Sequence, residues 1–201
     1  MPSVATLAEV GSNAKRGAQA LAILRDGLGQ GFISDERFLR YTTSDGAQPY
    51  RAALTATDDA SGEVIGALLI EIVDEAVLRA SFLDSADLAL AHPTIASLEP
   101  GPTGLITSIA VAPAARGRGV ARALIQRGLR ELAAHGAEHA YALAWERADT
   151  RDCMLCGALT ANGFHFALRL DNFWRRDSLA HGYACPACGH PCRCAARVMV
   201  R

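Results

Sequence analysis

Gly104 to Gly136 reads GLITSIAVAPAARGRGVARALIQRGLRELAAHG, and the fold turns on this stretch. Leu105 to Val111 is apolar and β-branched apart from Thr107, Ser108 and Ala110, and Pro113 stops it, which predicts a buried strand. Ala121, Leu124, Ile125, Gly128, Leu129 and Leu132 then recur in alternating steps of three and one. That spacing draws one stripe along a helix, with Arg122, Arg127, Arg130 and Glu131 largely off it and Gly136 placed to end it. Between strand and helix lies Arg116-Gly117-Arg118-Gly119-Val120-Ala121. A helix N-terminus offers backbone N–H groups without intrahelical partners and a dipole that favours anions. Glycines let the backbone approach a ligand closely, and arginine forks suit phosphate oxygens. The turn therefore reads as a pyrophosphate cradle.

The turn matches Arg-x-x-Gly-x-Ala and follows a strand ending Ile-Ala-Val-Ala-Pro. Downstream, His139 to Trp145 (HAYALAW) predicts a second strand, and Ala158 to Phe164 (ALTANGF) a helix closing on a Gly-Phe entry into the next strand. In that order, over about sixty residues, these segments resemble the GNAT acyltransferase superfamily. A dinucleotide fingerprint fits less well, since it needs Gly-x-Gly-x-x-Gly and an acidic residue about twenty positions on.

The resemblance implies an α/β (α+β) fold: a mixed central sheet flanked by helices, in which two parallel strands, Leu105–Val111 and His139–Trp145, splay apart. It implies acetyl-CoA in that opening, with Ile109, Ala110 and Val111 pairing with the pantetheine arm. Arg116, Gly117, Arg118, Gly119, Val120 and Ala121 would hold the pyrophosphate. The acyl group would pass directly from thioester to amine. Many members carry a tyrosine four residues before the Gly-Phe pair, which here is Leu159, and a glutamate near the start of the first splayed strand, which here is Leu105. Neither leucine transfers protons. Thr107, Ser108 and Glu146 remain as polar groups near the presumed cleft; Glu146 is the candidate base, with a surface ion pair to Arg147 as its alternative.

Upstream, Ala14 to Leu28 predicts a helix capped by Asn13, with Ala18, Leu21, Leu24 and Leu28 on one side, and Ser34 to Tyr41 a shorter one. Tyr50 to Thr57 and Val64 to Val73 predict a strand pair joined by a turn at Asp58 to Gly62. The long passage after Val73 predicts a helix around Asp84 to Ala91 and a loop through Pro93, Pro100 and Pro102. Half of the 201 residues are hydrophobic and the net charge is −1, which excludes a disordered chain and fits one domain over residues 1–201. Residues 1–100 hold 14 acidic and 7 basic side chains, either lining a site for a cationic acceptor or forming a solvated face. No run is long and apolar enough to span a bilayer and no secretory leader is evident, so a cytoplasmic protein is expected.

The strand entered at Phe164 is expected to run to Trp174, back beside the His139–Trp145 strand, and a last strand to run through Arg193 to Val200. All six cysteines, Cys153, Cys156, Cys185, Cys188, Cys192 and Cys194, fall in a Cys-rich element over residues 153–194. Two Cys-x-x-Cys-Gly turns, at Cys153 and Cys185, can each aim a pair of thiolates at one metal, and a structural zinc ion fits this spacing better than disulfides in a cytoplasmic chain. The two turns together, the compact set Cys185, Cys188, Cys192 and Cys194, or all six on two ions are all open arrangements, with His190 a further donor. The best-supported reading is an acetyl-CoA-dependent N-acyltransferase with a structural zinc. Its rivals are a catalytically silent acyl-CoA-binding module, suggested by Leu105 and Leu159, and a zinc-dependent nucleic-acid-binding domain, suggested by Arg175, Arg176, Arg193 and Arg197 but lacking a reader motif.

Overall fold

A computed structural model describes residues 2–9, 14–43, 49–74, 77 and 101–201. Its elements run β1 (Ser3–Thr6), α1 (Ala14–Leu28), α2 (Asp35–Thr42), β2 (Arg51–Thr57), β3 (Val64–Val73), β4 (Thr103–Val111), a 3₁₀ turn (Pro113–Ala115), α3 (Val120–Ala134), β5 (His139–Glu146), α4 (Cys156–Thr160), β6 (His165–Leu170), α5 (Arg175–His181) and β7 (Ala195–Val200). The strands form one mixed sheet in the order β1-β2-β3-β4-β5-β7-β6. Every neighbouring pair is antiparallel except β4 and β5.

Side-chain alternation along the strands feeds two faces. On one, Leu124, Ile125 and Leu132 of α3 bury against Leu54, Leu68 and Ile70. On the other, Leu21 and Leu24 of α1 and Phe38 and Tyr41 of α2 bury against Ala53, Ala67, Leu69 and Ala110. Ser34 caps α2 by accepting a hydrogen bond from the Arg37 amide at 3.1 Å. The expected cap Asn13, the expected helix at 84–91 and Pro93 and Pro100 lie outside the described residues.

Two features of β4 open the sheet. The β3 register slips between Leu69, opposite Ser108, and Ile70, opposite Ile106, so Thr107 is one residue too many and makes a β-bulge. Its hydroxyl donates to the Leu69 carbonyl at 3.2 Å. Parallel pairing with β5 ends at Ile106 opposite Ala142. Beyond it β4 stays with β3 as far as Val111, while β5 follows β7 from Leu143 to Glu146. The strands part as the GNAT resemblance implies.

The C-terminal part departs from expectation in three ways. The strand expected from Phe164 to Trp174 ends at Leu170, and Phe173 and Trp174 turn out of the sheet before α5. It does not lie beside β5: β7 inserts between them. The burial pattern gives the reason, since Ala195, Ala196, Val198 and Met199 of β7 are buried, whereas His165 and Phe166 of β6 are exposed and suit an edge. The final strand begins at Ala195, after the last cysteine, and not at Arg193.

Gly27 of α1 sits directly over β4, where a Cβ would meet the Ala110 Cβ at 2.8 Å. The Ala110 Cβ is fixed to the strand and cannot rotate away. Gly27→Ala is therefore expected to destabilise the fold by about 1–2 kcal/mol despite its better helix propensity, read as a lower urea midpoint.

Candidate active site

A cavity of about 930 Å³ lies where β4 and β5 part. On one side it is bounded by Ile109, Ala110, Val111, Arg116, Gly117, Gly119, Val120 and Ala121. Gly117 and Gly119 have φ of 73° and 79°, a left-handed conformation that other residues adopt at a cost, and a Cβ on either would meet no protein atom. Gly119 stands at the N-cap of α3 without a side-chain cap. Its carbonyl takes the Ala123 amide at 3.0 Å, so the amides of Val120, Ala121 and Arg122 precede the helical hydrogen-bond ladder. Arg116 is anchored by a 3.2 Å bond from Nε to the Val111 carbonyl. Arg118 does not line the cavity; it donates to Asp58 of the β2–β3 turn at 3.1 Å. Arg122, the third residue of α3 and the one directly after the motif, also lines the cavity, a position the strand-turn pattern does not single out.

The opposite side is assembled from distant segments. Phe32 and Arg37 come from the α1–α2 connection and α2, Glu71 from β3, Thr107 and Ser108 from β4, and Trp174, Tyr183, Cys185 and Pro186 from the passage between β6 and β7. The first and last of these interlock. Tyr183 meets Phe32 edge-on at 5.1 Å, and a Cβ on Gly29 would stand 2.6 Å from the Ala184 carbonyl oxygen. Ser108 is 5% exposed, and its hydroxyl is a buried side-chain oxygen without a hydrogen-bond partner.

Behind that wall, Cys185, Cys188, Cys192 and Cys194 bring their sulfurs within 4.8 Å of one another. Three of the separations are 3.8, 3.8 and 3.6 Å. A tetrahedral zinc ion at about 2.3 Å from four sulfurs spaces them about 3.8 Å apart, so the set fits. The Arg193 amide donates to Cys188 at 3.1 Å, the Ala187 and Cys188 amides face Cys185, the Cys194 amide faces Cys192, and the Ala148 amide and Trp145 indole face Cys194. Such N–H donors favour thiolates over thiols. Without a cation, burial pushes the Cys194 thiol up to about 11.

Cys153 and Cys156 are a correction to the six-cysteine expectation. They are joined in a disulfide at the start of α4, packed on the core beneath α3 and outside the four-sulfur group. The physical reason is local: four cysteines within ten residues close on themselves in one turn. His190 lies outside the four-sulfur group, and its Nδ1 is 3.2 Å from the Tyr183 carbonyl oxygen and 3.1 Å from the Ser178 hydroxyl.

The sequence pattern of the acetyltransferase (GNAT) family matches residues 22–153, about two thirds of the chain. The chain belongs to the GNAT family. Solved structures agree on the fold. Arabidopsis thaliana NAA60 in complex with acetyl-CoA superposes with a TM-score of 0.62 at 16% identity, covering 100% of this chain and 98% of that one. The ribosomal-protein-S18-alanine N-acetyltransferase of Escherichia coli gives 0.58 at 15% identity, covering 100% and 92%. The Drosophila melanogaster polyamine N acetyltransferase gives 0.62 at 11% identity, covering 100% and 99%. No curated protein matches the sequence. The family match stops at Cys153, and the four-cysteine turn lies beyond it.

Leu159 is wholly buried in the core, and Leu105 borders the cavity with an aliphatic side chain. Glu146 is not among the cavity's lining residues, nor is it paired with Arg147, which instead bonds Asp149 at 2.7 Å. Its side chain is 3% exposed and accepts from Arg169 of β6 at 2.8 Å and Arg197 of β7 at 2.7 Å. Burial alone would push this carboxyl up, but the two arginines outweigh it and hold it below the ordinary value of 4.5. A carboxylate so held is a cross-strand clamp and a poor proton acceptor.

Because the folded value is the lower one, the stability Glu146 contributes is complete above the unfolded carboxyl value and is lost as pH falls through the folded value. Glu146→Gln is expected to cost about 2–3 kcal/mol near neutral pH. Urea titrations should show that its midpoint varies less with acidification than that of the natural protein.

Proposed function

We propose that this GNAT chain transfers an acetyl group from acetyl-CoA to an amine, and that a zinc ion on Cys185, Cys188, Cys192 and Cys194 stiffens the acceptor side. The observation that carries the first part is the parting of β4 and β5 against the bare N-terminus of α3. The facing strand edges at 107–111 and 143–146 offer amide and carbonyl groups to a ligand that itself carries amides, as the pantetheine arm does. Arg116, Arg122 and the amides leading into α3 suit its diphosphate. NAA60 in a similar fold is seen with acetyl-CoA, and the Escherichia coli and Drosophila melanogaster relatives are named for a protein alanine and a polyamine, respectively. An amine acceptor for this chain follows from that comparison, while the individual acceptor does not.

The domain reading is a single unit over residues 1–201 with the Cys-rich element at 153–194 as part of it. Among the described residues no helix is long and apolar enough to cross a membrane. The nucleic-acid alternative weakens because Arg197, one of its four arginines, is committed to Glu146. The silent-binder alternative keeps one supporting observation, the aliphatic Leu105 and Leu159 at the usual proton-transfer positions.

Acetyl-CoA turnover read by thiol release, with agmatine, spermidine and an alanine-initiated peptide as acceptors, separates the two. The transferase releases coenzyme A with at least one acceptor, whereas the silent module binds without release. Arg116→Ala is expected to weaken acetyl-CoA binding about tenfold by calorimetry, the loss of one charge-assisted contact. For the metal, elemental analysis should find one zinc per chain. Cys188→Ser or Cys192→Ser should abolish it, and Cys153→Ser with Cys156→Ser should leave it in place.

A further inference from the structure

The geometry points to Glu71 of β3, with Ser108 beside it, as the site that receives the acceptor's ammonium group and takes its proton. This assignment rests on the transferase reading and supplies the base that Leu105, Leu159 and Glu146 do not.

Three described carboxylates line the cavity: Asp26, Glu71 and Asp177. Asp26 is exposed on α1 and bonded by Gln30 at 3.2 Å. Asp177 is engaged by His181 at 2.9 Å and its side chain is 39% exposed. Glu71 differs in burial and in place. Its side chain is 16% exposed, and it stands directly opposite Leu105 in the strand pairing, one residue before β4 makes its last pair with β5. Ser108 stands opposite Leu69, which shares a strand face with Glu71. The carboxylate and the orphaned hydroxyl therefore flank the bulged Thr107 on one face, at the point where the sheet opens.

The surroundings keep Glu71 in position without covering it. Arg51 Nε donates to its Oε2 at 2.9 Å, and the Tyr41 hydroxyl reaches both it and Thr107 from α2. Ser108 lines the cavity, its buried hydroxyl has no hydrogen-bond partner in the protein, and an unmade hydrogen bond on a buried oxygen is costly. A primary ammonium satisfies both groups at once, donating one N–H to Glu71 and another to Ser108. Proton balance follows directly. The ammonium gives one proton to the Glu71 carboxylate and the freed nitrogen lone pair forms a C–N bond at the thioester carbon. The C–S bond then breaks with its pair on sulfur, the nitrogen's second proton neutralises that thiolate, and the proton on Glu71 returns to solvent.

Glu71→Gln keeps the shape and an acceptor for Arg51 but cannot take a proton. With acetyl-CoA and agmatine, spermidine or the alanine-initiated peptide, it is expected to lower kcat about 100-fold or more. Coenzyme A binding by calorimetry should change less than about twofold, as expected when the change lies outside the cofactor half. Ser108→Ala is expected to raise the acceptor KM about threefold to tenfold, the loss of one neutral hydrogen bond. Glu71→Gln turnover within about threefold of the natural protein, where the natural protein is active, overturns the Glu71 assignment and leaves the transferase reading standing. A Glu71→Gln variant that also loses coenzyme A binding overturns it in favour of a structural role. A natural protein that binds coenzyme A but acetylates none of the three sinks both.

Discussion

One surplus residue in β4 governs the rest of the molecule. With Thr107 bulged against β3, the strand bends away from β5, which finds its hydrogen bonds on the other side with β7. An open strand edge in water invites aggregation, but here the two open edges face each other across a cavity. The cleft thus exists because β5 can part from β4 without losing its place in the sheet. Glu146 secures that arrangement by joining β5 to β6 and β7 through two arginines. Its role is mechanical, and it explains why a buried carboxylate near a cleft need not act on what the cleft binds.

The second constraint is the contact between the α1–α2 connection and the cysteine turn. Gly29 has φ of 115° and no space for a Cβ beneath Ala184, so the two segments meet backbone to backbone. Ser178 extends the contact inward by donating to the Tyr183 carbonyl and accepting from the Cys192 amide, each at 3.1 Å. A passage of some two dozen residues between β6 and β7 has little core of its own: α5 buries only Ser178 fully. Four sulfurs at tetrahedral spacing supply what an apolar core would otherwise have to, and a metal among them would fix Tyr183, Cys185 and Pro186 along the cavity.

Sequence reading succeeded where the information is local. The limits of α1 and β3 follow from apolar periodicity over adjacent residues, and the left-handed turn at Gly117 and Gly119 follows from glycines between a strand and a helix. It failed where partners are set by the sheet. Nothing near Arg118 in the chain announces Asp58, sixty residues away, and nothing near Glu146 announces Arg169 and Arg197. Phe173 and Trp174 have strand-forming side chains, but the helix Arg175–His181 follows at once and draws them out of the sheet. The two Cys-x-x-Cys-Gly turns look alike as sequence, and only the fold separates the pair bonded beneath α3 from the pair completed by Cys192 and Cys194.

The same distinction separates the two halves of the cleft. The half proposed for the cofactor is almost one continuous segment, residues 109–122, so a short motif can describe it. The acceptor half draws on α1, α2, β3, β4 and the β6–β7 passage, and no motif spans these. Positions 71 and 105 share a face without a trace in the local pattern, because neighbouring strands place paired side chains side by side. Chemistry in such a site belongs to a position in space, and the sheet register determines which residue fills it.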